Sequence, residues 1–347
     1  MTSDNMAPAR RNRASAKQAS MADVARQAGV SMITVSRMLR QPDLVAAETR
    51  KRIEAAMADV GYVPNLVAGG LAATRTQVVA VIVPYIQHGV FADAVQGLSD
   101  ALSPSKYCVL LGNTAESNEG EEAIVRTLLG HRPAGLVIQG ANHSPATRQL
   151  LQKAQIPVVE MGTLPDEPID CCVGYSNRHA AIAMTERLIA GGRRRIGFVG
   201  ADPSQNDRHA QRLDGYRTAL EAAGLAFDPR LVVRARFGIA QGREALAHLV
   251  AVEPKLDALF CASDLWAAGA IYESARRGIA VPDAIAVAGF NDQELAAEMV
   301  PSLTTIRVRR HEIGFVAGNL ILARIEGSES GRKRIDVGFE LIARESA

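Results

Sequence analysis

The stretch with the densest chemistry is GVSMITVSRMLRQPD, Gly29 to Asp43. Arg37 carries a planar fork of N–H donors that can make two parallel hydrogen bonds to guanine O6 and N7. Thr34 and Ser36 suit phosphate oxygens, and the apolar Met32 and Ile33 could meet thymine methyls. Ser31 stands where it would cap the helix that presents them. Catalytic chemistry finds no comparable stretch. GGRRRIGFVG, Gly191 to Gly200, lacks the spacing of a phosphate loop and puts its arginines ahead of the strand, so it reads as a solvated basic turn. No GxSxG elbow occurs, the cysteines Cys108, Cys171, Cys172 and Cys261 have no redox or zinc spacing, and no two histidines form an HxxxH pair. The expectation is a protein without catalysis, metal or cofactor.

The elements that must position these residues begin at Ser20, which with Asp23 resembles a capping pair ahead of Val24, Ala25 and Ala28 at helical spacing. Gly29 stops this helix, Ser31 opens a second carrying Val35 and Leu39, and a third runs from about Ala47 to Val60 before Gly61 and Pro64. Helix, turn and helix is the geometry of a DNA reader that sets the start of its second helix in the major groove, with Met32, Ile33, Ser36 and Arg37 outward and Val35 inward. An ordinary small helical bundle with a surface arginine fits the same spacing.

Charge separates the chain into unlike parts. Residues 1–75 hold 11 Lys or Arg against 6 acids, leaving 28 against 31 in the remainder of the 347 residues. A basic head on a near-neutral body points to a polyanionic partner for the head. Residues 1–19 have almost nothing to bury and are expected to form a disordered basic arm. No run of 18 apolar residues occurs and the first residues lack the apolar core of a secretory signal, so the protein is expected to be soluble and cytoplasmic.

Beyond Thr76, apolar runs such as VVAVIVP, GLVIQG, RIGFVG and IAVAGF alternate with helical segments such as Arg178 to Ala190 and Asp264 to Arg277. Strands apolar on both faces indicate parallel sheets covered by helices on both sides, and eight or more over 270 residues suit two doubly wound lobes. Ligands of such sheets bind beyond the carboxyl ends of the strands. Between head and body, Leu66 to Thr74 is an apolar nonamer too short for a stable helix and weakened by Gly69 and Gly70. It is either a flexible linker or a segment ordered by a partner; in a minor groove Ala68 would permit close approach and Leu71 could wedge between base steps.

MADVARQAGVSMITVSRMLRQPD, then GYVPN, and FELIARES near the end carry a resemblance to the lac repressor family of bacterial transcription regulators over Met21 to Ser346. The resemblance implies a helix-turn-helix head over 20–64, a hinge helix over 65–75, and over 76–347 a two-lobed body like periplasmic sugar-binding proteins that also dimerises. It implies a palindromic double-stranded operator bound by a homodimer, with base contacts from Met32, Ile33 and Arg37 and minor-groove contacts from Ala68 and Leu71. Ala46 departs from the family's Ser or Thr cap on the third helix, an absence that costs about 1 kcal/mol. Within the family, VFADAVQGL, IPVVEMG and VGYSN are similar to gluconate-utilisation repressors, which implies a sugar-acid effector such as gluconate.

An aldonate needs a cation for its carboxylate and polar groups for its hydroxyls in a cleft that excludes water. Arg212 in RLDGY matches the arginine that relatives use to grip the effector, and Arg208 lies one turn earlier. Phe91 and Phe237 match positions that place a ring against the ligand, although core packing suits Phe91 nearly as well. Ser263 stands where the family often has Asn, and Asn291 where it often has Asp. Glu160 would suit a hydroxyl, ranked lower because its burial beside a carboxylate needs pairing. Trp266 is expected in the core. The rival readings are a regulator that needs the ligand as corepressor, a sugar-binding protein without DNA regulation, and an α/β enzyme.

Overall fold

The computed structural model describes residues 19–64, 76–86, 89–115, 118–204, 206–328 and 334–347. The expected arm and the expected hinge with Ala68 and Leu71 lie outside the described residues. The chain divides into two compact units, Met1–Thr74 and Arg75–Ala347, here the head and the body.

The head holds α1 (Met21–Ala28), α2 (Met32–Arg40) and α3 (Ala47–Val60). Its first helix starts at a reciprocal cap: the Asp23 amide donates to Ser20 Oγ (3.3 Å) and the Ser20 amide to Asp23 Oδ2 (3.0 Å). Gly29 then turns the chain at φ 63°, a left-handed conformation that a side chain would strain. The Ser31 hydroxyl accepts from the Thr34 amide at 3.1 Å and starts α2. Ala46, at the head of α3, makes no side-chain cap bond. Val24, Val35 and Ile53 are fully buried at the centre, one from each helix.

In the body the apolar runs become two parallel sheets. Six strands form the first lobe in the order β11-β5-β4-β3-β1-β2. They are β1 (Val78–Val83), β2 (Cys108–Asn113), β3 (Gly135–Gln139), β4 (Val158–Met161), β5 (Cys171–Gly174) and β11 (Arg334–Asp336). With them go the helices α4 (Gly89–Leu102), α5 (Asn118–Gly130), α6 (Pro145–Lys153) and α12 (Arg310–Ile325). Four strands form the second lobe in the order β7-β6-β8-β9: β6 (Ile196–Gly200), β7 (Val232–Arg234), β8 (Ala258–Cys261) and β9 (Ala286–Ala288). It carries α7 (Asn177–Ala190), α8 (Asp207–Ala222), α9 (Ile239–Val252) and α10 (Asp264–Arg277), with the short α11 (Glu294–Glu298) after β9. An antiparallel ribbon of β10 (Thr305–Arg307) and β12 (Glu340–Ile342) continues from β9 through the bridge Ala288–Thr304.

Strand β5 belongs to the first sheet, whereas α7 packs on α8 of the second lobe; β10 joins the second lobe, whereas α12 packs on α4 of the first. The chain therefore passes between lobes three times: after β5, between β10 and α12, and between β11 and β12. Each sheet has a switch point where successive strands leave in opposite directions, between β1 and β3 and between β6 and β8.

Helix pairs approach closely through glycine. A Cβ on Gly314 of α12 would run into the Ala94 carbonyl of α4, and one on Gly269 of α10 into the Ile239 carbonyl of α9. Both obstacles are backbone, which cannot rotate aside. Gly314→Ala should therefore cost roughly 2 kcal/mol or more, as overpacking of a filled interior does. This is read as a lower urea midpoint of the body; an unchanged midpoint would show that α4 and α12 separate freely.

Candidate functional site

The head offers an exposed, mixed surface at the start of α2. Met32 is 54% exposed and Ile33 71%, whereas Val35 and Met38 on the opposite side are buried. Arg37 is exposed, and Ser36 and Thr34 are half-buried. The Ser31 and Thr34 hydroxyls lie 2.9 Å apart in a hydrogen bond, so one of them still has its proton to donate outward and the other can only accept. From α3, Arg52 donates to the Ala28 carbonyl at 2.5 Å, tying the third helix to the turn that sets the angle between the first two. Two bare apolar residues beside a free-standing cation on a basic unit fit a groove edge better than water.

The body holds a cleft enclosing about 680 Å³, solvent-open space included. Its walls come from the residues that follow strands or sit at their ends: Tyr85 after β1, Gln139 of β3, Asn206 after β6, Ala262 after β8 and Asn291 after β9. This is the place where doubly wound sheets bind ligands, at the switch points of both lobes.

Arg212 of α8 dominates the cleft. Its Nε donates to Asn177 Oδ1 (2.9 Å), Nη1 to the Ala262 carbonyl (2.8 Å) and Nη2 to the Tyr175 hydroxyl (3.0 Å). The guanidinium carbon stands 3.7 Å from the centre of the Phe290 ring. The residue is 5% exposed, and among the described residues no carboxylate comes within ion-pair distance of it. Burial draws its pKa down, yet a guanidinium stays charged. Three of its five N–H groups are held by protein, and a buried cation with neutral partners only is an energetic liability that an anion in the cleft relieves. Arg208, one turn earlier, also lines the cleft but sits 3.2 Å from Asp207 Oδ1, so its charge is partly answered within the chain.

Two neutral donors flank these cations. Burial, with Arg212 and Arg208 nearby, pushes the His209 pKa well down. Its Nδ1 accepts from the Ala201 amide at 3.4 Å, which puts the ring proton on Nε2. Tyr175 accepts from Arg212 and keeps its own O–H to donate. Phe237 lines the wall with its ring centre 5.2 Å from Trp266, which is fully buried and donates to the Arg236 carbonyl at 3.0 Å. Phe91 contributes the opposing apolar edge from α4.

Polar bonds cross the cleft. The Ala141 amide donates to Asp207 Oδ2, Asn142 Nδ2 to the Ser204 carbonyl and Gln211 Nε2 to Thr163 Oγ1, each at 3.2 Å. Arg310, at the start of α12, reaches both Asp93 Oδ2 (2.9 Å) and the Asn291 carbonyl.

The structure thus brings together Phe91, Arg208, Arg212, Phe237 and Asn291. Two expected residues do not line the cleft. Ser263 is fully buried and caps α10, accepting from the Leu265 amide at 3.4 Å. Glu160 is carried away by strand alternation: its neighbours Val159 and Met161 face the main core, so its carboxylate faces the other way. There Glu160 Oε2 accepts from the Ile169 amide (2.6 Å), and Oε1 lies 3.5 Å from His143 Nε2, an ion pair without hydrogen-bond geometry. His143 Nδ1 meets Glu121 Oε1 at 2.9 Å. Tyr175, Asn177, His209 and Arg310 escaped the sequence reading. In the basic turn, Arg193 bonds the Pro282 and Asp283 carbonyls, and the Arg194 and Arg195 amides donate to Asp257.

Comparison with known proteins agrees with both units. The family described as "Bacterial regulatory proteins, lacI family" matches residues 20–65, and the "Periplasmic binding protein-like domain" matches 185–347. The HTH-type transcriptional regulator GntR of Pseudomonas aeruginosa is 39% identical over 326 residues, covering 93% of this chain and 94% of that protein. The HTH-type transcriptional regulator IdnR of Escherichia coli is 32% identical over 329 residues, covering 93% and 96%. Among solved structures, a LacI-family transcriptional regulator from Silicibacter pomeroyi aligns with TM-score 0.89 at 34% identity, over 94% of this chain and 99% of that one. The lac repressor dimer bound to operator and the anti-inducer ONPF shares the fold, with TM-score 0.82 at 24% identity over 95% and 99%.

The clamped histidine makes a pH prediction. Burial alone would lower its pKa, but Glu121 and Glu160 outweigh that and raise it to about 9. A folded pKa above the unfolded value of about 6.5 means stability fully present below that pH and lost as pH rises through about 9. Histidine proton resonances should show one ring titrating near pH 9; no ring titrating near that pH would contradict the clamp.

Proposed function

Because the chain belongs to the lacI family of bacterial regulatory proteins and is a sequence-specific DNA-binding transcriptional regulator, we propose that it is a cytoplasmic, dimeric repressor released from its operator by a sugar acid such as gluconate. In this reading Met32, Ile33 and Arg37 meet base edges of a palindromic operator, Ser31, Thr34 and Ser36 hold the backbone, and Ala68 and Leu71 enter the minor groove. Exposure of the first three on a basic head supports it. Among the described residues no helix is long and apolar enough to cross a membrane.

The single observation that carries the effector class is the buried guanidinium of Arg212, without a carboxylate partner among the described residues and lining a cleft at two switch points. An aldonate carboxylate on Arg212, with its hydroxyls toward His209, Tyr175 and Asn291 and its carbon chain between Phe91 and Phe237, suits the chemistry of these groups. Arg208 then approaches the ligand as a charge already shared with Asp207. Filling the cleft favours one arrangement of the lobes over another; repression and effector binding weaken each other by the same coupling, about 1–3 kcal/mol in such systems. No catalytic role is assigned to the body.

Gel-shift titration tests the proposal. Gluconate should weaken operator binding, and Arg212→Gln should abolish that response while leaving operator affinity in place; an unresponsive wild-type protein across gluconate, its 6-phosphate and related aldonates would refute the sugar acid. Arg37→Ala should cost about 1–3 kcal/mol of operator affinity and relax preference at one base pair. Equal weakening on every sequence would make Arg37 a phosphate contact.

A further inference from the structure

The strongest feature that the regulator reading leaves unused is the buried row Glu121–His143–Glu160. The His143 side chain is 1% exposed, Glu160 0% and Glu121 12%, and the three come from different elements: α5, the loop after β3, and β4. Charged groups are rarely taken so far from water without a positional consequence.

That consequence is visible in the residues just ahead of His143. Gly140 follows β3 with its amide donating to the Met161 carbonyl at 3.0 Å. Ala141 then donates across the cleft to Asp207, and Asn142 donates across it to the Ser204 carbonyl. His143 follows at once, and Ser144 starts α6 by accepting from the Thr147 amide at 3.1 Å. Two consecutive residues thus bridge to the second lobe, held on one side by a strand-edge bond and on the other by an imidazole between two carboxylates. An Nδ1–H donated to Glu121 and an ion pair to Glu160 fix the ring in position and rotation, and with it the peptide that carries Asn142.

We propose that His143 is a positioning residue for the regulator: clamped by Glu121 and Glu160, it presents Ala141 and Asn142 to the loop and first turn of α8 and so sets how readily the lobes close. Asp207, the acceptor of the Ala141 amide, is also the partner of Arg208, so the clamp reaches the cleft wall through one carboxylate. This inference rests on the reading of the cleft as the effector site only in its second test.

The first test needs no ligand. In the full chain, His143→Phe keeps a ring of similar breadth and removes both nitrogens. Hydrogen exchange at the Ala141 amide should quicken by about tenfold or more, while amides of β1 hold their protection, as expected of a local opening. Glu121→Gln, which keeps an acceptor and loses the charge, should fall between this variant and the wild type. A folded His143→Phe protein with unaltered Ala141 exchange would overturn the proposal. Should that variant fail to fold, Glu121→Gln and Glu160→Gln decide it, since neither changing Ala141 exchange also overturns it. The second test measures gluconate affinity by Trp266 fluorescence, with an expected weakening of about tenfold in His143→Phe. Unchanged gluconate affinity with quickened exchange would overturn the link to closure. If wild-type protein does not bind gluconate, the sugar-acid reading fails while the exchange result still judges the clamp.

Discussion

One buried cation organises the body. The Arg212 guanidinium has to find partners in a space nearly closed to water, and it finds them on three separate pieces of chain: Tyr175 and Asn177 at the passage from β5 into α7, the Ala262 carbonyl after β8, and the face of Phe290 after β9. The ends of strands from both lobes are thereby gathered around one charge. Asn177 in turn donates to the Gly162 carbonyl at 3.1 Å, extending the network back into the first lobe. Each of these partners is neutral, so the network orients the charge without cancelling it. That difference separates a structural arginine from one poised for an anion.

The two arginines of α8 illustrate how nearly identical sequence environments diverge. Both lie on one helical face, a turn apart, and both line the cleft. Arg208 has Asp207 beside it in the chain and uses it; Arg212 has no carboxylate within ion-pair distance among the described residues and is instead stacked and hydrogen-bonded. Spacing along a helix predicts which side chains share a face. Spacing does not give their charge balance, which turns on one acid beside Arg208 in the same helix and, for Arg212, on neutral groups brought by other elements.

Much of the architecture was legible because it is periodic. The head helices were marked by Ser20, Ser31, Gly29 and Gly61, residues whose local chemistry starts and stops helices wherever they occur. The long apolar runs announced β1, β3, β6 and β8. Strands β5, β10, β11 and β12 carry no such run: β5 is the small-residue stretch CCVG, and the other three are three residues long with a charged residue in each. In the cleft, Arg212, Phe91, Phe237 and Asn291 were reached through family motifs, whereas Tyr175, Asn177 and His209 join it only through long-range contacts. Glu160 leaves the cleft for a reason that spacing hides: a strand's end tells where a residue sits along the sheet, and the two-residue pleat decides which side it serves. Ser263 stands one residue before a helix, and its hydroxyl is occupied by the cap.

The glycine contacts between helices have a mechanical meaning for a two-lobed protein. With Gly314 set against the Ala94 backbone and Gly269 against that of Ile239, these pairs meet without a cushion of side chains that could tilt or slide. Sliding one helix past its neighbour would drive backbone into backbone, so each lobe is stiff in shear. Relative motion is left to the three short crossings after β5, before α12 and between β11 and β12. A change of angle at these crossings is therefore the motion that the packing of the body opposes least.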